Sequence, residues 1–295
     1  MPVPVAGAPV PTRRSIPVQR QKSPAIAHFV ASQWSARAPR RTMAATTTPS
    51  PVMNARRRLL AASLALLGMP ALAASREVRG SGRIVTERRA VTGFDRLAIA
   101  GDFEVELHQG DREGVEIVAD DDLLPLIETV VGGRDDPRTT LRISPRRDVE
   151  LVPTQPIRIR VDLVRLGKIS LAGSAQVKAN GLRTDRLELS LGGSGDIALA
   201  AVAAEKVAVH LGGSGRVAVS GRTAEAVLNV AGSGRAELAG LAADDVSISL
   251  AGSGAADVHA ERNLKVSIAG SGRVRHGGAA QPVVSIVGSG DVRRL

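Results

Sequence analysis

The residues that most invite a chemical reading are serines set among glycines: Ser174, Ser194, Ser214, Ser233, Ser253, Ser271 and Ser289, spaced 20, 20, 19, 20, 18 and 18 apart. A nucleophilic serine on a sharp turn follows the pattern G-x-S-x-G. Asp196 and Arg216 stand where Ser194 and Ser214 would need the second glycine. A phosphate cradle needs a helix after its glycines; none is expected here, and neither GxGxxG nor GxxxxGK[ST] occurs around the repeats. "GGSGD" at 192–196 is close to the calcium-binding repeat G-G-x-G-x-D. Ile197 holds the aspartate's place, however, and the period is near 20, not nine. Asp120, Asp121 and Asp122 could gather a divalent cation, and their plainer reading is the cap of a helix start plus solvated charge. His108, His210, His259 and His276 lack the short paired spacing of metal ligands. A polysaccharide-cleaving site would need a catalytic cluster on one lateral face; Asp196, Arg216 and Arg235 read there as surface ion pairing. These residues point to no catalytic centre, no metal and no cofactor, so the chain reads as a non-enzyme.

The pattern around the serines concerns shape. Three, five and seven residues before each serine the side chains are mostly aliphatic, as in Leu191/Leu189/Leu187 and Leu250/Ile248/Val246. Apolar residues recur three and five after it, as in Val217/Val219. Alternation at period two on both sides of a glycine bend gives two short strands per repeat, each with one face inward. The corner is then built by Gly193, Ser194 and Gly195, by Gly213, Ser214 and Gly215, and by Gly232, Ser233 and Gly234. It continues with Gly252, Ser253 and Gly254, with Gly270, Ser271 and Gly272, and with Gly288, Ser289 and Gly290. Glycine opens backbone angles closed to other residues, and serine between the glycines can bond a neighbouring repeat in a ladder. Four residues before the corner stands a polar column that includes Ser190, His210, Asn229, Ser249 and Ser267. It forms a flat outward face and is the candidate binding surface.

One repeat buries about five aliphatic side chains, worth roughly 10 kcal/mol gross, while ordering its residues costs roughly 1–2 kcal/mol apiece. A repeat therefore cannot fold alone, and repeats must stack with their strands parallel and in register. The expected fold is all-β, a parallel β-helix (β-solenoid) of 18–20-residue rungs over 166–295. Residues 75–165 read as N-terminal strands and an irregular cap, with a short capped helix at 120–131, where apolar residues fall at 123, 126, 127, 130 and 131.

The net charge of +10 belongs to the leader: residues 1–73 hold ten Lys and Arg and no acid, which leaves 29 bases and 29 acids beyond them. No nucleic-acid partner is implied. Arg56, Arg57 and Arg58, an apolar run from Leu59 to Met69, and Ala71-Leu72-Ala73 make a signal peptide at 53–73. Residues 1–52 read as disordered or as an over-extended start. The exported chain lacks cysteine, so burial alone must hold it, and no second apolar stretch long enough to span a membrane follows. Beyond the leader, Phe94 and Phe103 are the aromatic residues, so stacking platforms for sugars or bases are absent.

"VTGFDRLAIAGDFEVELHQGD", an acidic start to "LLPLIETVVGG", a "TLRI" strand and the serial "GSG" corners resemble the putative autotransporter adhesin, head GIN domain family, over about 80–295. The resemblance implies a right-handed β-helix similar to pectate-lyase folds without their catalytic residues, and a role in adhesion; it supplies no binding residues. The expectation is an exported binding or adhesion domain of the cell envelope, in the periplasm or at the surface, whose ligand is a protein or glycan. The rival is a periplasmic assembly module that stacks end to end as a homo-oligomer through its last rung, near Ile286–Val292. A carbohydrate-active enzyme is the third reading.

Overall fold

The computed structural model describes residues 76–132 and 139–295. The stretch at 1–52 and the signal peptide expected at 53–73 lie outside the described residues. The strands begin with β1 (Arg76–Arg79), β2 (Ile84–Arg89), β3 (Arg96–Gly101), β4 (Glu104–Gln109), β5 (Gly114–Asp120) and β6 (Ile127–Val131). They continue with β7 (Thr140–Pro145), β8 (Val149–Val152), β9 (Arg158–Leu163), β10 (Lys168–Gly173), β11 (Gln176–Asn180) and β12 (Arg183–Gly193). Four long bent strands follow, β13 (Asp196–Gly213), β14 (Arg216–Gly232), β15 (Arg235–Gly252) and β16 (Ala255–Gly270). Last come β17 (Arg273–Gly277), β18 (Pro282–Gly288) and β19 (Asp291–Arg294).

From β10 to β19 every strand lies parallel to its equivalent one rung on, so the fold is a β-solenoid. Leu171 faces Leu191, Leu211 faces Val230, and Leu250 faces Ile268, so each inward aliphatic stands on another. Leu187, Leu189, Val207, Val209 and Val217 are fully buried. The alternation of buried and exposed residues reflects strand pleat, because a one-residue slip would turn the whole apolar column to water. The period shortens near the second bend. The register shifts between Leu238 and Ala242, where Ala242 meets His259, and the rung contracts there to 18 residues.

The stacking order departs from the chain order at the N-terminal end. β10 lies between β12 and β3, with Ile169 opposite Leu97 and Gly173 opposite Gly101. β11 likewise pairs with β4, with Val177 opposite Val105. β3 and β4 therefore form a full rung, and the chain between Gln109 and Lys168 builds on its other side: β7 on β3 and β9 on β4, both parallel. Antiparallel β6, β5 and β2 complete that end. Phe94, Phe103, Leu123 and Ile127 are buried there.

The helix expected over 120–131 is not formed. Leu124–Leu126 makes one 3-10 turn, and Ile127–Val131 is strand β6, paired antiparallel with β7. The apolar spacing suits either element, but Ile-Glu-Thr-Val-Val is rich in β-branched side chains that pack better on a sheet, and β7 offers an unpaired edge. The aspartates do not cap a helix either. The fully buried Asp120 carboxylate accepts from Gly82 N–H, Thr154 N–H and the Thr154 hydroxyl. Asp121 accepts from the Ser81 hydroxyl and Asp122 from Ser81 N–H. The acidic run thus ties the turn between β1 and β2 to the cap. Among the described residues no helix is long and apolar enough to cross a membrane.

Candidate functional site

The two glycines of the corner answer to different constraints. In the first column, Gly101, Gly173, Gly193, Gly213, Gly232, Gly252, Gly270 and Gly288 all have φ between +106° and +124°, where side chains are strained. A Cβ on Gly193 would also stand 2.6 Å from the Gly173 carbonyl oxygen below it. In the second column the side-chain position points inward. A Cβ on Gly195 would meet the Ala175 carbonyl oxygen at 2.6 Å and the Leu171 side chain at 2.9 Å. The aliphatic of one rung leans over the glycine of the next.

The ladder at this corner is carried by backbone. Ser194 N–H donates to Gly173 O at 3.1 Å and Ser214 N–H to Gly193 O at 3.0 Å, and the pattern repeats to Ser289 and Gly270. Among the described residues the corner serine hydroxyls make no hydrogen bond, so the hydroxyl ladder expected from the sequence is absent. Any residue with an N–H could serve, and Asp102 holds the serine's place in the β3–β4 rung. The structure gives no reason for serine itself.

Beside the corner, on the outer face of the strands that enter it, runs an open groove of about 1110 Å³. Ser190, His210, Asn229 and Ser249 lie along it; Ser267 does not. It spans six rungs from Ala98 to Ser249, about 24 Å at the spacing of paired strands. Its floor includes a second column, two residues before each corner, of Ala100, Ala172, Gly192, Gly212, Ala231 and Ala251. These glycines are free of the constraints on their neighbours. Gly192 has no left-handed φ and nothing within 4 Å of an added Cβ, and the nearest atom to one on Gly212 is 3.8 Å away. The fold does not require this column to be small.

Serine, histidine and asparagine stand on successive rungs, Ser190 opposite His210 and His210 opposite Asn229. Asn229 Nδ2 lies 3.3 Å from His210 Nδ1. An amide nitrogen only donates, so in this pairing Nδ1 is the acceptor. No hydrogen bond joins Ser190 to His210. The row offers donors and acceptors to a bound molecule, not an activated nucleophile. Lys168 and Glu188 form a cross-rung ion pair at 2.8 Å beside the row. The Lys168 hydrogen bond, against desolvation, holds the Glu188 carboxyl below its usual range.

At its N-terminal end the groove meets a wall that sequence reasoning missed: Arg142, Ser144, Pro145, Arg146 and Arg147, from β7 and the turn after it. Arg142, Arg146 and Arg147 have no acidic partner among the described residues. Their place over the groove follows from β7 pairing with β3, a contact the repeat pattern does not encode. On the lateral face, Arg216 approaches Glu237 at 3.8 Å, while Asp196 and Arg235 form no ion pair among the described residues. Among those residues no group of three His, Asp or Glu side chains could hold a metal ion.

A family model described as "Putative auto-transporter adhesin, head GIN domain" matches residues 93–280. A crystal structure of a "Putative lipid binding protein" from Parabacteroides distasonis ATCC 8503 superposes with a TM-score of 0.64 at 24% identity, covering 75% of this chain and 100% of that one. A "putative adhesin" from Bacteroides fragilis NCTC 9343 superposes with a TM-score of 0.65 at 23% identity, covering 74% and 100%. A "putative adhesin" from Parabacteroides merdae ATCC 43184 gives 0.58 at 19% identity, covering 75% and 99%. At these identities the likeness shows the solenoid fold. No protein of curated function matches the sequence.

Proposed function

Because the chain belongs to the family of the putative auto-transporter adhesin, head GIN domain, we propose that it is an exported, non-enzymatic domain of the bacterial cell envelope that binds an elongated ligand along the groove. The observation that carries this reading is the small-residue floor. Gly192 and Gly212 could each take a Cβ without crowding the fold, yet alanine and glycine hold this column from Ala100 to Ala251. A floor kept low where packing does not ask for it leaves room for something lying on it. The hydroxyls, His210 and Asn229 beside it supply hydrogen bonds, in a region without aromatic side chains.

The test fills the groove from its floor. The double variant Gly192→Trp/Gly212→Trp keeps its melting temperature, and the fraction of purified protein retained on isolated bacterial envelopes falls at least tenfold. Equal retention of variant and parent would sink the reading. Protease treatment of intact cells carrying a tagged chain checks export: a tag shaved from whole cells supports display at the surface, and a tag released only with the periplasm places the ligand there.

The arginine wall favours a second reading, in which the ligand is an amphiphile with its anionic head at Arg142, Arg146 and Arg147 and its apolar part on the alanine floor. The lipid-binding description of the Parabacteroides distasonis neighbour points the same way. Retention on vesicles containing phosphatidylglycerol, reversed by Arg146→Glu/Arg147→Glu, would support it; no retention would leave the protein or glycan ligand.

A further inference from the structure

The solenoid ends differently at its two ends. β18 pairs with β16 on one side only, and β19 with β17 on one side only. The inward positions of this last rung are uncovered: Val284 is 42% and Ile286 40% exposed, against 1% for Val266 and Ile268 one rung earlier. Outward, Val283 and Val287 are 72% and 73% exposed, and Leu295 is 58% exposed. Among the described residues these are five of the eight exposed large hydrophobic side chains. No residue from Pro282 to Gly288 is charged. At the opposite end the outer strands are β2, with Glu87, Arg88 and Arg89, and β6, with the exposed Glu128, and charges on an edge keep sheets from pairing with strangers.

The sequence of β18 identifies what covers it. Read outward from Ser285, the strand is symmetric in kind: Val284 against Ile286, then Val283 against Val287, then Pro282 against Gly288. An antiparallel strand of the same sequence, centred on Ser285, sets like beside like on both faces. We propose that β18 is the seam of a tail-to-tail homodimer, in which it pairs antiparallel with the β18 of a second copy. Val284 then meets the partner's Ile286 in the core, and Val283 meets the partner's Val287 outside. The two-fold axis runs through Ser285 normal to the sheet, so inward residues stay inward and the two cores join. Such an interface is isologous and closes at two copies, whereas a head-to-tail stack would set β18 against β6, the strand that ends its own row and carries Glu128.

The same axis fixes what the dimer presents. β18 belongs to the row of strands whose outer face forms the groove, and a rotation normal to that face turns both grooves to the same side. Two sites then address one surface, which raises avidity without a new contact. This consequence rests on the groove reading; the dimer itself does not.

Sedimentation velocity of the purified full chain over a range of concentrations tests the dimer without any ligand. The parent sediments at twice the chain mass of 30.6 kDa. Val283→Lys/Val287→Lys, at exposed outward positions, sets ammonium groups opposite one another and raises the dissociation constant on the order of 100-fold. Val283→Glu/Val287→Lys restores the dimer, because only an antiparallel seam centred on Ser285 faces the opposite charges. The chain has no cysteine, so Ser285→Cys oxidises to a covalent dimer while the control Ser267→Cys does not. A monomeric parent, a dimer indifferent to Val283→Lys/Val287→Lys, or equal crosslinking of both cysteine variants overturns the proposal. A dimeric parent whose envelope retention is unchanged by Gly192→Trp/Gly212→Trp would count against the groove alone.

Discussion

Gly192 and Gly193 are neighbours in the chain and belong to two regions under different steric constraints. Gly193 sits in the corner, at φ +124° with the carbonyl oxygen of the rung below where a Cβ would go. Gly192 sits on the groove floor, with nothing near an added Cβ. Residue type alone cannot tell them apart. The corner is small because the backbone leaves no room, and the floor is small with room to spare. The first kind of glycine reports how a chain folds; the second, on the function proposed above, reports what it meets once folded.

The sharpest way to break this comparison is at the corner. Gly193→Ala combines left-handed strain with a backbone clash on the rung below, and the expected loss is about 4 kcal/mol, read as a lowered midpoint in urea unfolding. A loss below about 1 kcal/mol would mean that the rungs can part to admit the methyl group. Next comes the cap, which unlike the corner depends on an ionised side chain. Asp120→Ala leaves Gly82 N–H, Thr154 N–H and the Thr154 hydroxyl without their acceptor, at a cost of about 3 kcal/mol.

The same carboxylate gives the cap a pH dependence that the corner lacks. Desolvation acts to raise the pKa of Asp120, but the hydrogen bonds from Thr154 and Gly82 outweigh it and hold the value below the ordinary one. The folded state then binds fewer protons than the unfolded one. The stabilisation is complete above the ordinary carboxylate pKa of about 4 and is lost as pH falls from there through the folded value. Hydrogen exchange of β1 and β2 should accelerate over that window in the parent and not in Asp120→Ala, while the corner amides from Ser194 to Ser289 stay protected in both.

Smaller effects sharpen the contrast between the two glycines of one corner. Gly195→Ala keeps an allowed backbone but crowds Leu171 and the Ala175 carbonyl, and about 2 kcal/mol should be lost. Gly192→Ala carries the opposite sign. It adds a methyl group in open space and removes freedom from the unfolded chain, so about 0.5 kcal/mol should be gained. The same melting measurements read both. A destabilised Gly192→Ala would remove the reason for assigning the floor to a ligand.

Much of the solenoid was legible because its signal is local. Apolar residues at fixed distances before and after each corner specify two strands and a bend, and parallel stacking follows because a lone rung cannot bury both faces. The rung of β3 and β4 carries the same spacing, with Leu97, Ile99, Val105 and Leu107 placed around Asp102 as their counterparts are around Ser174. It goes unnoticed in the sequence because Asp102 and Phe103 replace the serine and the second glycine. The row of Ser190, His210, Asn229 and Ser249 was visible as a polar column. That this column borders a groove was not, since a groove depends on what its neighbours omit and on the wall that closes one end.

The sequence alone determined what repeats: the strand period, the inward columns and the place of each corner, all properties of residues within one rung. Tertiary structure decided what happens once. It brought β3 against β10 across some 70 residues of intervening chain, turned Ile127–Val131 from helix to strand by offering β7 as an edge, and carried Arg142, Arg146 and Arg147 to the head of the groove. It also left Val284 and Ile286 uncovered at one end. Repetition can be read from a sequence because each copy restates the same local energetics. Where the stack starts, what closes it and what lies beside it depend on contacts between residues far apart, which no period records.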